Sequence, residues 1–357
     1  MIAYRSMSFA MPRRTARSAG FTLVELMVAL AIASVLLLAL AAMFIGTSMS
    51  RNELDKSSRQ IEGGRYAMQV LSDEIRHAGW YGALATAPSL PGSVTTLPDP
   101  CSNTLATVQN SIGLPLQGYA GGGASPLTCI NAATGYKPNT AVIVVRRADT
   151  SIAVDPPPPS PYFNIQTSGC AGDSIAYVFD AYNSGNFTLH SNSSPGCLPL
   201  VSAPTAKVAP VYIRIFYIST CSQSDCTAAG ADSVPTLKRI DLTVAGTTTP
   251  VSIIDGIENM QFDYGVDTAG SDGTPDSYVA TPATTAVSTW SNVMAVRIYL
   301  IARNIDTTSG YSDTKTYSLG SAGTFTPSGS ETGYRRHAYN ALVRLNNPSG
   351  RRECSGC

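Results

Sequence analysis

One apolar stretch, residues 21–45, constrains this chain more than anything else in it, and Glu25 is the only charge it contains. Wound as a helix at about 1.5 Å per residue, it reaches roughly 37 Å, enough to cross the hydrocarbon core of a bilayer. No other segment approaches it, so the sequence reads as single-pass. Arg13, Arg14 and Arg17 precede the run; positive flanks stay cytoplasmic, which places everything after Ile45 on the far side. A cleaved secretory signal would need a small-residue site after the run. Gly46-Thr47-Ser48-Met49-Ser50 offers no clean Ala-x-Ala there. A plain anchor leaves Glu25 unexplained, because burying an acid at the bilayer centre costs about 2.5–3.5 kcal/mol, and somewhat less near an end.

Composition narrows the classes further. The chain has 24 basic and 24 acidic side chains, which excludes a polybasic nucleic-acid coat. With 13% charged and 44% hydrophobic residues, it does not have the makeup of a disordered chain. Its 357 residues supply ample core for one large domain or two ordinary ones. There is no Gly-x-Ser-x-Gly, phosphate loop or dinucleotide fingerprint, and only three histidines, so an enzyme is not expected.

The residues Ser18-Ala19-Gly20-Phe21-Thr22-Leu23-Val24-Glu25-Leu26 resemble the class III signal of type IV prepilins. The resemblance implies cleavage by a membrane peptidase between Gly20 and Phe21, N-methylation of Phe21, and retention of the helix. It also implies a subunit-assembly role for Glu25, paired with the cationic amino terminus of a neighbouring subunit. Removing residues 1–20 takes away Arg5, Arg13, Arg14 and Arg17 and no acid, so the mature chain is acidic. The leader is long for the family, and Met7 and Met11 are alternative starts.

Beyond the span, Leu54, Ile61, Met68, Leu71, Ile75 and Ala78 form one apolar stripe, which predicts that the helix continues against a head. Gly63-Gly64 weakens its middle and predicts a local bend, and Gly79 predicts its end. The expected organisation is a leader (1–20), a membrane half-helix (21–45), an amphipathic half-helix (46–80) and a β-rich head (81–357). Strands are expected at 141–148, 174–181, 211–219, 237–244, 251–254, 257–264, 293–303 and 334–345. Several alternate as half-buried antiparallel strands do. The proline run at 156–159 reads as a solvated loop.

Asp73-Glu74-Ile75-Arg76-His77-Ala78-Gly79-Trp80-Tyr81-Gly82 resembles the helix end of the PilW subfamily of minor pilins. So do Ile254-Asp255-Gly256-Ile257-Glu258-Asn259-Met260-Gln261-Phe262-Asp263-Tyr264, the segment ending Leu300-Ile301-Ala302-Arg303, and Leu342-Val343-Arg344-Leu345-Asn346-Asn347. The resemblance implies an α+β pilin fold, a long N-terminal helix on an antiparallel sheet with an enlarged head. It implies a scarce subunit of the type IV pilus that primes assembly with other minor pilins and the major pilin. It further implies a place near the fibre tip, supporting a tip adhesin of the PilY1 type. A minor pseudopilin of type II secretion is the alternative.

All eight cysteines lie on the oxidising side. Neighbour pairing gives Cys101–Cys129, Cys170–Cys197, Cys221–Cys226 and Cys354–Cys357, although 105 connectivities are open. Cys354-Ser355-Gly356-Cys357 lacks the following helix that lowers a redox thiol's pKa. Asp267, Asp272 and Asp276 make a weak calcium candidate: aligning on Gly273 puts Asp272 and Asp276 in register and Asp267 out. The plain alternative is a polar turn. His77, as a cation at a helix end, reads as structural. Arg146-Arg147 and Arg335-Arg336 read as solvated strand residues.

Overall fold

The computed structural model describes residues 20–82, 84, 88, 90–151, 160–181, 185–191 and 204–353. The chain forms two units, Met1–Leu54 and Asp55–Cys357. Helix α1, Leu23–His77, contributes to both. In the first unit its side chains are exposed throughout the apolar span, as expected of a surface that meets lipid or other helices.

The second unit is α1 from Asp55 onward plus an antiparallel β head. Its remaining helices are α2 (Leu105–Ser111), α3 (Val287–Ser291) and α4 (Asn346–Glu353). The strands are β1 (Leu116–Tyr119), β2 (Val142–Ala148), β3 (Phe163–Thr167), β4 (Tyr177–Asp180), β5 (Val208–Ser219), β6 (Thr236–Thr243), β7 (Gly246–Thr247), β8 (Val251–Asp255), β9 (Ile257–Val266), β10 (Ser277–Val279), β11 (Val293–Arg303), β12 (Tyr317–Ser318), β13 (Thr324–Phe325) and β14 (Arg336–Arg344). One eight-stranded sheet runs β1-β2-β5-β3-β4, with β6 also on β5 and carrying β7 and β8. A second runs β10-β9-β11-β14, and β12 and β13 form a small hairpin.

Period-2 alternation decides which sheet face each side chain serves. In β5, Phe216 and Ile218 join Ile143 and Val145 of β2, facing Ala67, Leu71, Ile75 and Ala78 of α1. Met260, Phe262, Val296, Ile298 and Leu300 of the second sheet complete that core. On the opposite face, Val211, Ile213, Ile215 and Tyr217 pack with Val142, Val144, Val108 and Ile112 in a second core.

The docked face of α1 keeps the later part of the expected stripe, with Leu71, Ile75 and Ala78 buried and Met68 packed beside them, and departs from it earlier. Leu54 and Ile61 are exposed, and the buried face is Gln60, Gly63, Gly64, Ala67, Leu71 and Ile75. Instead of breaking the helix, the glycine pair lets its backbone approach the sheet. A Cβ on Gly63 would touch Ile254 at 3.4 Å, and one on Gly64 would sit inside the Tyr339 ring. Tyr339 donates its hydroxyl hydrogen to the Ile61 carbonyl at 3.2 Å. Gln60 donates to the Ala302 and Arg335 carbonyls, both at 2.8 Å. Over Gln60–Gly64 the contact is therefore made by backbone and amide, which a count of apolar residues misses, and from Ala67 onward by apolar side chains.

The helix ends at His77, and Gly79 takes the left-handed conformation at φ 73° that suits a C-terminal cap. Asn347 of α4 donates to the carbonyls of His77 and Ala78, the first of which also accepts from the Trp80 N–H. Arg351 donates to that of Gly79 at 3.0 Å, so cations and amides meet the negative end of the helix.

Candidate assembly site

Two sets of residues carry the features that bear on function: the start of α1 and a buried charge network under the closing strands. At the helix start, the Thr22 backbone N–H and hydroxyl both donate to Glu25 Oε2 at 2.9 Å. The Glu25 N–H donates to Thr22 Oγ1 at 3.2 Å. These reciprocal bonds form a capping box, which satisfies donors that a helix start leaves free. Glu25 thus has a partner within its own chain, a role legible in the Thr-x-x-Glu spacing but absent from the sequence reading above. Gly20 and Phe21, just ahead of the box, are exposed.

The second set is centred on Glu258 and Arg303, which lie in the segments that resemble the PilW signature, and draws in Asp313, Glu331 and Arg336 from outside them. The pairing of β9 with β11 shifts between Ile301 and Ala302, so that Asn259 faces Ile301 and Ile257 faces Ala302. Glu258 is the extra residue of this bulge, which turns its carboxylate inward. It meets Arg336 in a bidentate pair, at 2.5 and 3.0 Å, with Arg303 3.5 Å away. Arg336 also reaches Asp313 at 3.3 Å, and Arg303 pairs with Glu331. The Arg303 guanidinium stacks 3.9 Å from the Tyr334 ring centre. Gly256 makes the turn possible: its φ is 83°, and a Cβ there would lie 2.7 Å from the Arg303 carbonyl. Charge-assisted bonds thus staple β9, β11 and β14 to the loop carrying Asp313 and Glu331.

The paired arginines depart from the expectation of solvated strand residues. Arg336 and Arg146 are buried, while Arg335 is exposed and lies 4.5 Å over the Tyr311 ring. Arg146 donates to the Leu114 carbonyl at 3.3 Å and to Gln117 at 2.6 Å. Arg147 and Arg214 both clamp Glu74 of α1, Arg147 at 3.0 Å. Burial alone would raise the Glu74 carboxyl, but these two guanidiniums outweigh it and hold it below its ordinary value. Alternation gave these arginines their strand but not their acidic partners, which lie far away in sequence.

Cys101–Cys129 and Cys221–Cys226 are bonded as expected. Cys170 is disulfide-bonded. Cys197, Cys354 and Cys357 lie outside the described residues, as does the proline run at 156–159. The three calcium-candidate carboxylates serve separate local partners. Asp267 pairs with Arg352 at 3.0 Å and accepts from the Gly273 N–H. Asp272 caps Thr274, and Asp276 accepts from the N–H groups of Thr268 and Ala269. Among the described residues, no group of three or more His, Cys, Asp or Glu is placed to hold a metal. His77 contacts the Asp73 carbonyl, His190 pairs with Asp173, and His337 packs on Tyr339.

An apolar helix opened by a prepilin-type signal and followed by an antiparallel β head defines the class: a type IV pilus-related pilin. Residues 15–41 match the prokaryotic N-terminal methylation motif. Residues 215–347, spanning β9, β11, β14 and the charge network, match the family of type IV pilus-assembly protein W, whose members are structural pilins. No curated protein and no solved structure matches the chain.

Proposed function

We propose that this chain is a minor pilin that primes type IV pilus assembly and sits at or near the fibre tip. The observation that carries this reading is the exposed apolar helix that opens on a capping box directly after Gly20-Phe21. A peptidase acting between Gly20 and Phe21 would leave a free, methylatable Phe21 nitrogen on the residue just ahead of the Thr22 cap. The helix would hold the subunit in the inner membrane, head in the periplasm, until assembly draws it into the helical bundle of the fibre with the major and other minor pilins. Glu25, already oriented by Thr22, would there receive a neighbour's cationic terminus, offsetting its desolvation. The head exceeds what covering α1 requires, and its outer faces suit support of a tip adhesin. Two disulfides fit the oxidising side of that membrane.

The test is to label the head in purified pili and to delete the gene. Expected outcomes are label at fibre ends, fewer pili in the deletion strain, and a mature N-terminus at Phe21 by mass spectrometry. Label spread evenly along the shaft, or lost protein secretion with normal piliation, would overturn the reading; the latter would favour a pseudopilin of type II secretion.

A further inference from the structure

The Cys221–Cys226 bond is built differently from the Cys101–Cys129 bond. Lys238 of β6 is fully buried, and its ammonium lies 3.7 Å from Cys221 Sγ and 3.8 Å from Cys226 Sγ. It donates to the Gln223 carbonyl and has no carboxylate within salt-bridge distance among the described residues. The charged groups in its field are Asp232 and Asp255. A neutral disulfide sulfur is a poor acceptor, so the two sulfurs beside the ammonium repay little of the cost of burying the charge. Ser219 Oγ lies 3.3 Å from Cys226, but its hydrogen goes to the Thr134 carbonyl, leaving Lys238 as the donor here. At the other bridge the sulfur's donor is neutral: the Cys129 backbone N–H donates to Cys101 Sγ at 3.2 Å, the Cys101 N–H is bonded to the Asp99 carboxylate, and both cysteines are partly exposed.

We infer that Cys221–Cys226 is a thiol–disulfide exchange site, opened by an external thiol and poised by Lys238. Cys226 is partly exposed, while Cys221 is buried. An incoming thiolate bonds to Cys226 Sγ, the S–S bond breaks, and its electron pair leaves on Cys221 Sγ. That thiolate forms against the Lys238 ammonium. A second thiol of the same reductant then displaces the mixed disulfide and leaves as its own disulfide, so two electrons pass to the protein and two cysteines are released. A cation beside the leaving sulfur lowers its pKa, and a lower-pKa thiol leaves faster. Until that second thiol acts, the mixed disulfide at Cys226 is itself a covalent link to the molecule that carries the incoming thiol.

The experiment treats the oxidised full chain in detergent with dithiothreitol for short times, followed by alkylation and peptide mass spectrometry. The expected result is that Cys221 and Cys226 become alkylated about tenfold faster than Cys101 and Cys129. Lys238→Met should remove most of that advantage, and Lys238→Arg should retain it. In the wild-type chain, once reduced, the 221/226 pair should be alkylated at lower pH than the 101/129 pair, a readout that needs no variant. Equal opening of the two bridges in the wild type overturns the inference, as does Lys238→Met opening at the wild-type rate. If Lys238→Met fails to fold, the wild-type comparison and its pH profile decide.

Discussion

At the residue scale, Thr22 and Glu25 combine a local cap with a charge free to meet a neighbour, and two substitutions separate these contributions. Thr22→Val removes the cap and keeps the carboxylate, at a helix-start cost of about 0.5–2 kcal/mol. Glu25→Ala removes the carboxylate and the bonds it accepts, while the backbone N–H at that position still donates to Thr22 Oγ1. Glu25→Ala is expected to leave membrane insertion intact but to deplete the chain from sheared pili severalfold, as read by immunoblot, with Thr22→Val depleting it much less. Equal depletion would reduce Glu25 to its capping role. Gly64 invites a second test, because a methyl group there would enter the Tyr339 ring. Gly64→Ala should lower head stability by about 1–3 kcal/mol in denaturant unfolding, through overpacking. Combining it with Tyr339→Ala should cost less than the sum of the two, since the second change removes the obstacle.

At the element scale, Glu74 ties α1 to β2 and β5 through Arg147 and Arg214. Its folded carboxyl sits below the ordinary value, so its stabilisation is complete above the usual carboxylate range and is lost as pH falls through the folded value. Glu74→Gln should cost about 3 kcal/mol near pH 7, because two guanidiniums lose their acid. Its stability should also fall less steeply on acidification below pH 5, a difference that urea midpoints across pH would report. All eight expected strands exist, because alternating apolar residues announce a half-buried strand. The strands the sequence concealed are short and polar: β1 contains Gln117 and Gly118, and β3 buries Asn164 and Gln166. The earlier part of α1's docked face was hidden for a related reason: Gln60, Gly63 and Gly64 carry no apolar signal, yet they join Ala67, Leu71 and Ile75 in the contact.

At the scale of the whole molecule, the disulfides should matter by loop size. A chain beginning at Arg51 omits the apolar span and keeps the docked helix; it is expected to fold as a soluble head where disulfides form. Losing Cys101–Cys129, with a separation of 28 residues, should cost about 2–4 kcal/mol of unfolding free energy. Losing Cys221–Cys226, with a separation of 5, should cost less. Unfolding of serine-substituted heads in denaturant measures both, and equal losses would refute the loop-size argument. The prepilin signal was legible because it is local, its residues lying within one short segment. The charge network was not, because Glu258, Arg303, Asp313, Glu331 and Arg336 converge only after a bulge and a folded-back loop place them.

The peg that Tyr339 sets against α1 joins positions 278 residues apart, and the caps on the helix end come from Asn347 and Arg351. A chain is made and exported from its N-terminus, so α1 enters the bilayer long before the strand and short helix that seat it exist. For most of its synthesis this subunit is an anchored helix waiting for its own tail. The glycines and Gln60 in the docked face of α1 leave less apolar surface bare during that wait than an unbroken leucine stripe would. A product truncated before β14 would keep the apolar span but lack Tyr339, Asn347 and Arg351, the late residues that meet α1.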